Sequence, residues 1–289
     1  MKYFNSYQAA KIMNVNVSTI KRWTDTKKLD CIQTPGGHRK FTLYQINEYY
    51  RKSKKSKPIN IYKISDSLND LLCKHIENLD YKELNIYFFD ILLEGDSERI
   101  TSILESLYLK SESIYKIYDN LVCPCLNKIG NLWEKNQISI ADEHLASNTI
   151  IKSINNLNSL IIKESNILSK LVLLFGIKNN NHSIPLQMAE QILVSHGHKV
   201  INCSSDTPIF SLKSMIENHK PNMILVSMTY IADKKESISE ILQLKKINKN
   251  NKATLYIAGN SNNFFKNKNF DGIKIINTMK DLNIVSKEK

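Results

Sequence analysis

One histidine stands out for where it falls. Residues 171–175 form a short apolar run, a polar loop carries His182, and Leu186, Ala189, Ile192 and Leu193 follow at helical spacing. An imidazole binds metals through one ring nitrogen, and the hydrogen-bond partner of the other nitrogen sets its direction. A second group is Trp133 with Glu143 and His144 across a turn at Asn136 and Gln137. Taken alone, a tryptophan closing a helical bundle and a histidine in a first turn are ordinary structural residues. A third group is cationic or polar: Thr19, Lys21 and Arg22, then His38, Arg39 and Lys40. Such side chains suit phosphates and base edges.

The elements that must position these groups follow from the local pattern. Gly197 stops the helix after His182, and residues 199–203 read as a second strand. Strand, loop, helix, strand opens a parallel sheet, whose carboxyl edge is where such sheets bind ligands. Residues 223–227, 255–258 and 273–276 add three strands, with helices over 234–247 and 279–286. The carboxyl-terminal domain, residues 168–289, is therefore α/β and Rossmann-like. Residues 61–165 keep a helical apolar period throughout and predict an all-α bundle of five helices. At its last junction Ser139 opens a helix with Asp142 three residues on, a capping box.

Composition narrows the class. The chain has 289 residues, too many for one ordinary core, so two or three domains are expected. No apolar run is long enough to span a bilayer, and no secretory signal is recognised, so a cytoplasmic protein without membrane partners is the expectation. Five scattered cysteines fit reduced thiols; Cys123-Pro124-Cys125 is too closely spaced for the usual zinc or redox pairs. Charge is uneven. Residues 1–60 hold 13 Lys or Arg against 3 Asp or Glu, while the remainder holds 27 against 25. A basic module on a near-neutral body is the electrostatic mark of a nucleic-acid partner.

That module, residues 1–51, also has a folded pattern. Ser6 is expected to cap a first helix and Ser18 a second, joined by a turn at Asn14–Asn16, which makes a helix-turn-helix. Ile20 and Trp23 pack inward. Residues 31–33 and 39–41 flank Thr34-Pro35-Gly36-Gly37-His38 as a hairpin wing, and a third helix covers 43–51. Residues 52–60, rich in Lys and Ser and containing Pro58, read as a linker. Tyr7, Ala10, Ile12, Ile20, Trp23 and above all Pro35-Gly36-Gly37-His38-Arg39-Lys40-Phe41 resemble the winged DNA-binding head of the MerR family. The resemblance implies Thr19, Lys21 and Arg22 in a major groove of double-stranded operator DNA, with His38, Arg39 and Lys40 on the backbone.

The other two groups resemble one family as well. Asn180-Asn181-His182-Ser183-Ile184-Pro185, with Gly197 and Asp206-Thr207-Pro208, is similar to the D-x-H-x-x-G loop of cobalamin-binding domains, whose histidine binds cobalt from below. Trp133 followed by Glu143-His144 resembles the upper adenosyl pocket of light-sensing MerR-type repressors of the CarH type. Ser227 and Thr229, and one of two expected glycines, Gly259, stand where that family holds the nucleotide tail. Four positions depart from the pattern: Asn180 for Asp, Pro185 for Gly, Glu134 where a photoproduct histidine would stand, and Ala258 for Gly.

The resemblance implies a regulator, expected to be a repressor, whose dimer or tetramer and operator binding are controlled by adenosylcobalamin, with light breaking the cobalt–carbon bond. The four departures motivate a second expectation: a body that has lost cobalamin and answers to another ligand or to an antirepressor protein. A corrinoid methyl carrier or enzyme would also use a bundle and a Rossmann-like domain. No catalytic domain or nucleophile–base pair accompanies them, so the chain is expected not to be an enzyme.

Overall fold

The structure is a computed structural model that describes residues 3–53, 68–110, 113–161, 169–259 and 272–288. It divides into two compact units, Met1–Ile162 and Lys163–Lys289. Most of the expected linker, residues 54–60, lies outside the described residues.

The first unit opens with a three-stranded antiparallel sheet of β1 (Phe4–Asn5), β2 (Ile32–Gln33) and β3 (Arg39–Phe41), with β3 in the middle. Phe4 lies opposite Phe41, and Gln33 opposite Arg39. α1 (Ser6–Ile12) packs against it, α2 (Val17–Asp25) packs against α1, and α3 (Leu43–Ser53) follows β3. The caps differ from the expectation. Asn5, not Ser6, caps α1: its Oδ1 accepts from the Gln8 N–H at 2.9 Å while Gln8 Oε1 accepts from the Asn5 N–H at 2.9 Å. Asn16, not Ser18, caps α2, accepting from the Ser18 N–H at 3.0 Å. In both places an asparagine one or two residues upstream satisfies the first-turn donors, so each helix starts earlier. Ala9, Ile12, Ile20, Leu29, Phe41 and Ile46 make the core here. Trp23 stacks on Tyr49 with ring centroids 4.5 Å apart, holding α3 to α2.

The helical stretch of this unit comprises α4 (Asp70–Asn78), α5 (Tyr81–Glu94), α6 (Ser97–Leu109), α7 (Ile114–Ile117), α8 (Cys123–Glu134) and α9 (Ile140–Leu157). Between α7 and α8 the chain makes a π-helical turn, Tyr118–Val122, in which the Cys123 N–H reaches back to the Tyr118 carbonyl. Pro124 explains it. Proline has no N–H for the Asn120 carbonyl four residues back. The amide of Asn85, on α5, donates to that carbonyl instead at 2.8 Å. What reads in sequence as one helix is therefore interrupted. The cysteines are free thiols, as expected, and burial pushes Cys123 and Cys125 up to about 12, so both stay protonated.

The second unit is a five-stranded parallel sheet, order β5-β4-β6-β7-β8: β4 (Leu171–Gly176), β5 (Lys199–Asn202), β6 (Met223–Ser227), β7 (Thr254–Ala258) and β8 (Ile273–Ile276). α10 (Ile184–Ser195) and α13 (Met279–Val285) pack together, and α11 (Lys213–His219) and α12 (Lys234–Asn248) pack together. Covering on both faces requires apolar residues at successive positions, which is why Val172 to Phe175 and Ile224 to Val226 are all buried. Leu173, Phe175, Ile224 and Val226 share one cluster with Ile216 of α11 and Ile241 of α12. His196 and His198, which flank Gly197, are both buried and structural. His198 accepts from the Lys170 N–H at Nδ1 (3.1 Å) and faces the Ser286 carbonyl with Nε2 (2.7 Å), tying β4 to the end of α13.

Candidate functional site

The carboxyl ends of three neighbouring strands fall in one row: Gly176 is paired with Ser227, and Ser227 with Ala258. The loops that follow carry Asn180 and His182 from β4, Thr229 from β6 and Gly259 from β7. The edge expected from the sequence is thus the edge that carries the residues.

Asn180 is fully buried. Its Nδ2 donates to the Ser227 carbonyl at 3.0 Å and its Oδ1 lies 2.7 Å from His182 Nδ1. The imidazole itself is exposed. Two further contacts fasten this loop. The Asn179 N–H donates to Asp206 Oδ1 at 2.7 Å, and the Asp206 N–H to the Asn180 carbonyl at 3.1 Å. On the other side Lys178 pairs with Glu236 of α12 at 2.7 Å, which raises the Lys178 pKa through that hydrogen bond and charge. Pro185 takes the second position of α10, in a first turn whose N–H groups have no intrahelical acceptor, so it costs nothing there.

Ser227 is buried, and its carbonyl accepts both from Asn180 and from the Ile177 N–H at 3.2 Å. Its hydroxyl lies 3.5 Å from that of Thr229. Gly259 has φ +125, and a Cβ built there would fall 2.6 Å from the carbonyl carbon and oxygen of Met228. Glycine at 259 is required by the chain's own backbone, so its presence is explained without any ligand.

In the helical unit, Trp133 is the penultimate residue of α8, Glu143 lies in the first turn of α9 with His144 next to it, and between the helices Asn136 takes φ 54. Ser139 and Asp142 form the expected capping box, and those bonds lower the Asp142 pKa. Ser147 Oγ donates to Glu143 Oε1 at 2.7 Å, and the other Glu143 oxygen lies 3.6 Å from His144 Nε2. Trp133 is 45% exposed, Ile140 56% and Leu145 43%. The helical junction therefore carries exposed apolar side chains and an oriented carboxylate.

Of the cationic group, Lys21, Arg22, His38 and Lys40 are exposed and Thr19 is half-buried. Arg39 is half-buried. Its guanidinium is paired with Asp25 at 2.5 Å and its side chain is 20% exposed. Arg39 joins the hairpin to α2 and does not extend toward solvent. The residues missed in sequence are the ones that hold others: Glu236 for the His182 loop, Ser147 for Glu143 and Asp25 for Arg39. A partner more than fifty residues away, as Glu236 is, leaves no local signal. The i, i+4 spacing of Glu143 and Ser147 was a usable one.

Among the described residues no group of three or more His, Cys, Asp or Glu is placed to hold a metal ion. A bare divalent ion needs three or four such ligands. One imidazole suffices only for a metal already held by another chelator, such as the equatorial nitrogens of a macrocycle. The lone, oriented His182 fits that second case.

Residues 88–158 match the B12 binding domain family, so α5 to α9 carry a B12-binding-type helical domain. No curated protein matches the chain at a significant level. Among solved structures, it is similar to the monomethylamine corrinoid protein of Methanosarcina barkeri, with 10% identity and a TM-score of 0.60, covering 71% of this chain and 97% of that one. It is also similar to a cobalamin-binding protein of Desulfitobacterium hafniense DCB-2, with 14% identity and a TM-score of 0.35, covering 70% and 96%. The first likeness establishes the helical-bundle-plus-parallel-sheet fold of corrinoid proteins.

Proposed function

We propose that this chain is a corrinoid-responsive DNA-binding regulator, with adenosylcobalamin as effector. The observation that carries the corrinoid half is His182, held at the sheet edge by buried Asn180 in a chain whose helical part matches a B12 binding domain. His182 would hold the cobalt; in the helical unit, taken by itself, Trp133, Glu143 and His144 would meet an adenosyl group. When bound, the group would supply a chelated cobalt and a strong visible colour. The chain's own residues do the rest: Asn180 directs the imidazole, Ser147 directs the Glu143 carboxylate, and the apolar side chains around Trp133 exclude water.

The regulatory half rests on the basic amino-terminal module. Its exposed Lys21, Arg22, His38 and Lys40 sit on a compact arrangement of two short helices and a hairpin. Ligand binding shifts the equilibrium between assemblies only by its differential affinity for them. A dimer or tetramer then multiplies operator affinity by effective concentration. Repression, response to light and the order of assembly belong to the same proposal.

A second reading is favoured by the fold likeness to a monomethylamine corrinoid protein: a corrinoid methyl carrier. Two measurements separate the readings. Purified protein mixed with adenosylcobalamin in the dark and desalted is expected to keep the corrin spectrum. The same protein is expected to shift a labelled duplex carrying its own promoter in a salt-dependent way. Corrin colour without duplex binding would favour the carrier; duplex binding without colour would favour a regulator answering to another ligand or an antirepressor protein.

A further inference from the structure

We infer that the amino edge of the five-stranded sheet is a second phosphate-binding surface, through which the second unit holds the backbone of duplex DNA without reading its sequence. The inference rests on the proposed regulator reading and extends it to a face of the chain that reading leaves without a role.

The fold gathers lysines that the sequence scatters. Residues 163–289 hold 18 Lys against 10 Asp or Glu, while residues 61–162 hold 9 Lys or Arg against 15, so the near-neutral body contains one basic unit. Backbone hydrogen bonds join the starts of four neighbouring strands. The Lys199 N–H donates to the Lys170 carbonyl at 3.0 Å, the Asn222 N–H to the Leu171 carbonyl at 2.8 Å, and the Thr254 N–H to the Asn222 carbonyl at 3.0 Å. Across β5, β4, β6 and β7 this sets Lys199, Lys170, Lys220 and Lys252 in spatial order, one at or just before each strand. Lys246 and Lys249 end the neighbouring helix α12, and Asn251 Nδ2 donates to the Pro221 carbonyl at 2.9 Å, tying the chain after α12 to the chain after α11. Lys170 is half-buried, its ammonium 2.8 Å from the Glu288 carbonyl; the other five lysines are exposed.

Most acids of this unit serve the opposite edge. Glu190 accepts from Asn202 at the end of β5, Asp206 accepts from the Asn179 N–H, and Asp233 caps α12. Glu236 pairs with Lys178, and Glu240 accepts from the Lys178 and Ile209 N–H groups. On the lysine side, Glu217 of α11 and Glu288 bring two negative charges. A helix end offsets only about half a charge. The ends of α10, α11 and α12 with these two carboxylates therefore leave six lysines in excess.

The length of the row points to a polymer. Three strand intervals of about 4.8 Å make it roughly 14 Å long. That exceeds a single phosphate group and suits a duplex, which carries a charge about every 1.7 Å of its axis. Lysine is a point charge that holds a backbone and specifies no base. Because the row lies at the edge away from His182, a corrinoid and DNA do not compete for this unit.

The test uses the full-length protein and a labelled duplex carrying its own promoter, followed by anisotropy across a salt series. Lys220→Gln with Lys252→Gln should reduce the slope of log affinity against log salt by about 2. Lys213→Gln with Lys235→Gln removes as much charge from exposed positions at the starts of α11 and α12 and should change the slope by less than about 1. Equal slopes in the two double variants would overturn the inference. So would a change of particle size in light scattering at unchanged slope, which would give the face to a second copy of the chain. A wild type that binds no duplex sinks the regulator reading and this inference together; binding with equal slopes sinks the second surface alone.

Discussion

Asp25, the last residue of α2, holds the Arg39 guanidinium of β3 at 2.5 Å, so the hairpin is tied to the helix expected to enter a groove. The pair is partly exposed, and untying it with Asp25→Ala should cost no more than about 1 kcal/mol of folding stability. Its effect on DNA is more telling. Lys40→Ala should weaken binding to every duplex sequence and reduce the slope of log affinity against log salt by about 1. Arg39→Ala should change that slope less, because its charge is already engaged. Anisotropy titrations across a salt series compare them; equal slope changes would mean the ion pair opens on DNA.

The histidine ligand makes a direct prediction. His182→Ala should lower adenosylcobalamin affinity at least about tenfold, the scale seen when the surroundings of a metal ligand are damaged. Absorbance titration in the dark reads it. Trp133→Ala should also weaken uptake, whereas His219→Ala, at the far end of α11, should not.

His198 gives a pH dependence whose sign is fixed. Burial, with Lys170 and His196 nearby, lowers its pKa below the ordinary 6.5, against the raising effect of its hydrogen bond to Ser286. The folded state therefore prefers the neutral ring. The contribution is fully present above pH 6.5 and is lost as pH falls from there through the lowered folded value. Lys170 and His196 are the charged or titratable groups facing it, so the slope in denaturant midpoint below pH 6.5 should flatten in His198→Gln.

Gly259→Ala tests whether the carboxyl edge is closed by its own backbone. A methyl group at φ +125 and 2.6 Å from Met228 atoms forces both strain and displacement. The expected loss is about 1–3 kcal/mol in urea unfolding. A neutral result would mean that the end of β7 has room to spare.

Asn85→Ala should cost about 1–3 kcal/mol, since it strips the donor from the Asn120 carbonyl that Pro124 cannot serve. Pro124→Ala in the same protein should recover part of that loss by restoring a backbone N–H. Thermal melts of the two single variants and the double variant give the coupling.

Much of this was legible in the residues. β6 occupies the stretch expected, because a strand buried on both faces reads as an unbroken apolar run, and the edge strand β8 does so despite its exposed Lys274. The His182 loop, the capping box at Ser139 and the turn at Asn136 were likewise visible, each depending on neighbours within a few positions. Where sequence reading failed, competing local signals or distant partners were the cause. Asn5 and Asn16 displaced Ser6 and Ser18 as caps because their amides reach the same first-turn donors. β1, two residues long, shows no alternation to detect. Pro124 announced a disturbance but not its form, which depends on Asn85 reaching across from α5. The need for glycine at 259 in the chain's own backbone, set by Met228 from the neighbouring strand's loop, left no local signal.

The wet apolar lip made by Trp133, Ile140 and Leu145 has a practical consequence. Side chains of that size left in water find one another as concentration rises. Preparations lacking a ligand should therefore drift toward larger particles on concentration, and light scattering should see that drift subside when Ile140 and Leu145 are both made glutamine.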